Sequence, residues 1–69
     1  MKRGTRIRTT CRVFTKEGFL PPMTSGVVLL AMSANSFDCE FADVAIETGT
    51  GTKVLTVTAT VLECDMVAA

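Results

Sequence analysis

Three stretches of this chain alternate with a period of two, and that rhythm narrows the possible folds before composition is considered. Thr5, Ile7, Thr9, Cys11 and Val13 fall on one side of an extended segment, with Arg6, Arg8, Thr10 and Arg12 on the other. Phe37, Cys39 and Phe41 oppose Asp38 and Glu40 in the same way. Leu55, Val57, Ala59 and Val61 oppose Thr56, Thr58 and Thr60. A strand turns successive side chains to opposite faces, whereas a helix would scatter these sets around its circumference. The threonines fit as well, because β-branching costs little in an extended chain. The pattern predicts an all-β domain with one buried face.

The segment Gly26–Met32 is continuously apolar instead of alternating. Thr24 or Ser25 offers a cap for a short helix there. The run is short for a helix and opens on two valines, so a strand buried on both faces, or buried by a partner, is the expectation. Turn residues separate the elements. Lys16-Glu17-Gly18 ends the first stretch, Pro21-Pro22 bars regular pairing after it, and Ser33–Ser36 has the length of a hairpin loop. Gly49–Thr52 forms a flexible tip before the third stretch. With the last stretch divided, these signals give five short strands.

That division carries a resemblance. Thr58-Ala-Thr-Val-Leu-Glu63 lies between a strand at Val54–Val57 and a candidate strand at Cys64–Val67. It resembles the end of an SH3-like small barrel, where one 3₁₀ turn joins the last two strands. The opening Gly4-Thr-Arg-Ile-Arg8, then Gly26-Val-Val, then Phe37–Val44 are similar to the same superfamily. Small members include KOW-type modules and the ferredoxin-docking peripheral subunit of photosystem I. The resemblance implies a single domain over residues 1–69, folded as a five-stranded SH3-like barrel with one 3₁₀ turn before the last strand. The rival reading is an uninterrupted strand from Lys53 to Glu63 in another small sheet or an OB-like barrel.

Charge is distributed unevenly. Lys2, Arg3, Arg6, Arg8, Arg12 and Lys16 precede every acid in the chain, while seven acids and only Lys53 follow. The zero net charge is a cancellation between two parts. On a strand, alternate residues stand roughly 6.6 Å apart, a spacing at which Arg6 and Arg8 reach neighbouring phosphates. Lys2, Arg3, Arg6, Arg8 and Arg12 thus define a nucleic-acid reading, which the KOW resemblance also implies. Trp and Tyr are absent, so stacking platforms for single strands are few. The competing expectation is internal. In an SH3-like barrel the first and last strands are neighbours, which brings Glu63 and Asp65 beside Arg6 and Arg8 as a device that sets register.

Catalytic and metal chemistry find little here. The chain has no histidine, so Ser-His and Cys-His pairs are excluded. Gly49-Thr-Gly-Thr lacks Walker spacing to Lys53. Cys11, Cys39 and Cys64 contain no CxxC pair and read as small residues on inward strand faces. The expectation is a non-enzyme with no cofactor and no metal. The polyproline groove of SH3 domains and methyl-lysine cages both need the missing tyrosine or tryptophan.

The chain has 69 residues, near the lower limit for folding alone, and extra buried surface is expected. Phe19, Leu20 and Met23, held extended by prolines, either plug the open end of the barrel or anchor a partner. The apolar tail Met66–Ala69 poses the same choice. The resulting expectation is a cytoplasmic interaction module that contacts another protein or a second copy through Phe19, Leu20, Met23, Arg6 and Arg8, and forms a homo-oligomer. No apolar run is long enough to span a membrane.

Overall fold

A computed structural model describes all residues, Met1–Ala69, and is all-β. The strands are β1 (Arg6–Thr9), β2 (Val13–Phe14), β3 (Phe19–Leu20), β4 (Ser25–Ser33), β5 (Ser36–Thr48), β6 (Gly51–Leu62) and β7 (Met66–Ala68). A 3₁₀ turn, Glu63–Asp65, precedes β7. All pairings are antiparallel, in the order β2-β3-β5-β4-β1-β7, with β6 on β5. The expected five-stranded closed barrel is therefore corrected to an open sheet of seven strands. Cα atoms of β2 and β6 approach within 8 Å, but no ladder of hydrogen bonds joins them.

The two additional strands come from the break in the first alternating stretch. Thr9 is wholly buried, and its Oγ1 donates to the Pro21 carbonyl at 3.2 Å while accepting the Thr24 N–H at 3.0 Å. Thr10 N–H then donates to the Asp65 carbonyl. These bonds hold the chain at the end of β1 and let it turn away over residues 10–12. Val13 and Phe14 pair with Leu20 and Phe19 in a separate hairpin. Gly18 closes that hairpin at φ +146°, where a Cβ would strike the Glu47 carbonyl.

β5 holds the molecule together by bending. Between Phe41↔Val57 and Val44↔Leu55 it carries one extra residue. Asp43 adopts φ 50° at this bulge, and its N–H donates to Thr56 Oγ1 at 3.2 Å. Such a bulge bends the strand and increases its twist. The first part of β5 consequently pairs with β4, and its end reaches β3 at Phe19↔Glu47.

The 3₁₀ turn lies at Glu63–Asp65, not within Thr58–Glu63, and β6 runs unbroken through the expected division. The reason is partner supply. β5 pairs with β6 as far as Ser36↔Leu62, where the short Ser33–Ser36 hairpin begins. Glu63 N–H then donates to the Asn35 carbonyl, and Met66 N–H closes the turn onto the Glu63 carbonyl.

The core contains Ile7, Val13, Leu20, Val28, Phe37, Cys39, Phe41, Ile46, Val57, Ala59, Val61 and Met66. The inward sets of all three alternating stretches supply most of it. Gly26 is buried against Phe41, and an added Cβ would lie 2.6 Å from that ring, so the position requires glycine. Of the two expectations for Gly26–Met32, burial on both faces within the fold fails at its far end. Leu30, Ala31 and Met32 are exposed, since β1 pairs only with Ser25–Val27 and bulges interrupt the β4–β5 register beyond Val28.

Candidate interaction surface

β1 turns Arg6 and Arg8 to solvent while Ile7 and Thr9 enter the core. Arg6 is opposite Val27, which is opposite Glu40 on β5; Arg8 is flanked by Ser25 and Val67. Directly opposed residues share a face, and Arg6, Arg8, Ser25, Val27 and Glu40 line one outward groove. Neither arginine has a carboxylate within 4.0 Å. The expected pairing with Glu63 and Asp65 is thus overturned. The 3₁₀ turn removes both acids from the β7 ladder and leaves Val67 opposite Arg8.

The molecule's salt bridge is instead Arg12 Nη2 to Glu47 Oε2, at 3.5 Å. Both side chains are more than half exposed, so the pair contributes at most about 1 kcal/mol. The Arg12 guanidinium also lies 4.2 Å from the Phe19 ring centroid. Phe14 stacks on Phe19 at 4.1 Å between centroids, tilted by 48°. Arg12 is therefore engaged within the fold, and the unpaired cations on the strand face are Arg6 and Arg8. Lys2 and Arg3 are exposed in the turn before β1.

The three apolar candidates separate. Leu20 is completely buried and offers no surface to a partner, so it leaves the contact set and acts as the core plug. Phe19 is half-buried beneath Phe14 and Arg12. Met23 is 61% exposed at φ 68°, with its N–H donating to the Thr9 carbonyl. In the tail, Met66 is core and Val67–Ala69 are exposed. Phe14, 74% exposed, was not among the expected contacts. Strand parity marks it, because Phe14 continues the outward series Thr10, Arg12.

β6 adds a surface that single residues did not announce. It is 12 residues long, pairs only with β5, carries one charge and has no proline. β2 lies near Thr58–Thr60. Over Gly51–Val57 the second edge is open, and Val54 there is 67% exposed. Native proteins usually blunt long edges with charge, bulges or proline. The exposed end of β4 has such bulges; β6 has none.

The cysteines also divide. Cys39 is buried, and its burial, with the nearby Asp38 charge, pushes its thiol above the ordinary range. Cys11 is half-buried and Cys64 exposed, correcting the inward placement of Cys64. Partial burial, the Asp65 carboxylate and the Cys64 charge raise the Cys11 thiol. No three metal-ligating side chains converge. No helix is long and apolar enough to cross a membrane.

Comparison with protein-family models, with curated proteins and with solved structures returned no match.

Proposed function

We propose that this chain is a non-catalytic interaction module that works by protein–protein contact, with a second copy of itself as the first partner to test. The open edge of β6 carries this reading. Unpaired N–H and C=O groups on a regular, weakly charged strand are a template for adding another strand. Val54 and the outward threonines contribute a mixed apolar and polar rim. Arg6, Arg8, Phe19 and Met23 remain the candidate contacts for a different protein partner. The element order, with a 3₁₀ turn between long β6 and closing β7, supports an SH3-like reading of the open sheet. Three free thiols fit a reducing cytoplasm.

Light scattering over a concentration series tests the reading. Self-association that vanishes in Val54→Lys, with an unchanged circular dichroism spectrum, is the expected result. A wild-type monomer at every concentration removes the second copy as the partner.

One observation favours a nucleic-acid reading as an alternative: Arg6 and Arg8 have no acid partner. Glu40 in the same groove works against it by repelling phosphate. Binding of single-stranded RNA or duplex DNA at low salt, lost steeply as salt rises and abolished by Arg6→Ala with Arg8→Ala, is the outcome that selects this alternative.

A further inference from the structure

The ladder between β1 and β7 pairs Ile7 with Ala68, Arg8 with Val67 and Thr9 with Met66. Just beyond the ladder, Thr10 N–H donates to the Asp65 carbonyl at 2.9 Å. Cys11 follows Thr10 and Cys64 precedes Asp65, so the two cysteines flank this hydrogen-bonded pair. Ala69 N–H donates to the Arg6 carbonyl at 3.0 Å, and Thr10 N–H to Asp65, so these are hydrogen-bonded positions. Opposed Cα atoms at such a position stand about 5.5 Å apart, and Cys11 and Cys64 each lie one residue beyond it. Disulfides span Cα separations of roughly 4.4–6.8 Å.

The side chains put Asp65 between the two thiols' positions. Cys64 Sγ donates to Asp65 Oδ1 at 3.7 Å. Beyond the effect of burial, the charges of Asp65 and Cys64 both act on the Cys11 thiol and raise it. Both cysteines therefore lie beside Asp65, Cys64 through its own thiol and Cys11 through the Thr10 hydrogen bond. Cys39 lies elsewhere, in the core beneath β5.

We propose that Cys11 and Cys64 form a reversible intramolecular disulfide, made by exchange with a low-molecular-weight disulfide, that locks the β1–β2 connection onto the 3₁₀ turn. Exposed Cys64 reacts first. Its thiolate attacks one sulfur of the small disulfide, giving a mixed disulfide, and the departing thiolate takes up the proton that Cys64 lost. Cys11 then loses its proton and attacks the Cys64 sulfur, expelling the second small thiol. Two protein thiols are oxidised, and one small disulfide is reduced to two thiols. The bond fastens β7, a three-residue strand whose only ladder is to β1.

The full chain is incubated with oxidised glutathione, blocked at low pH, digested with trypsin and mapped by mass spectrometry. The expected product joins the peptide Thr9–Arg12 to Val54–Ala69. Circular dichroism melts are run in parallel, and the oxidised chain is expected to melt about 10 °C or more above the reduced one. Cys64→Ser and Cys11→Ser each remove that rise, while Cys39→Ala keeps it. A persistent Cys64–glutathione adduct, a Cys64-linked dimer, a bridge to Cys39 or no reaction overturns the proposal.

Discussion

At the scale of single residues, Thr9 does more to shape this molecule than any charged group. Its side chain is sealed from water, yet it both donates and accepts a hydrogen bond, joining β1 to the Pro21–Thr24 segment. Thr24 Oγ1 donates to the same Pro21 carbonyl at 2.6 Å, so one small network fixes the loop over the end of the sheet. No buried side-chain polar atom is left without a partner. A buried donor that loses its acceptor retains its desolvation cost, whereas an exposed ion pair contributes little. Thr9→Val keeps shape and branching but strips the Thr24 N–H of the acceptor it has in Thr9 Oγ1. The expected destabilisation is about 1–3 kcal/mol, read as a lower urea midpoint with an unchanged slope. The contrasting control is Glu47→Gln, which breaks the Arg12 pair and is expected to shift the midpoint far less. An equal or larger effect of Glu47→Gln would show that the electrostatic ranking is wrong.

At the scale of elements, the bend in β5 decides which strands meet. Asp43 holds a left-handed backbone at the bulge, a conformation that glycine adopts without strain and a β-branched residue adopts badly. Asp43→Gly is expected to leave stability within about 1 kcal/mol of the parent, and Asp43→Val to fall below both. Equilibrium unfolding in urea ranks the three; a valine variant as stable as the glycine one would rule out backbone strain as the determinant. This bulge also shows where sequence reading stops. Phe37, Cys39, Phe41, Val57, Ala59 and Val61 were legible as core because their alternation persists in the structure. Beyond Phe41 the extra residue resets parity, so Ile46 is buried on an even position where continued alternation would expose it. The turn at residues 10–12 was hidden for a related reason. Thr9 and Thr10 are bonded to residues far along the chain, and no local signal marks those partners. The same blindness misplaced the acids: Arg8 meets Val67 because of where β5 begins, which is a tertiary fact. Strand parity did place Arg6 and Arg8 outward, and it concealed only that they lack partners.

At the scale of the whole molecule, the open sheet and the short chain bear on each other. Only 15 of 69 residues are buried, and the molecule is elongated, 35 Å by 17 Å by 17 Å. A domain this small has little surplus over the conformational entropy it gives up, so a partner along a free edge adds stability directly. β6 has the qualities such an edge requires, because it is long, regular and nearly uncharged. If a second copy occupies it, folding and association are linked, and the melting temperature depends on concentration. For a hundredfold increase in protein, mass action predicts a rise of roughly 5–10 °C. The melts must contain a thiol reductant, so that bridging of Cys11 to Cys64 cannot mimic the effect. Val54→Lys places a charge at the open edge and is expected to flatten the concentration dependence while leaving the dilute melt nearly unchanged. A wild-type melting temperature that stays constant across the series would mean that the edge is unoccupied by its own kind. The 69 residues would then be stable on their core alone.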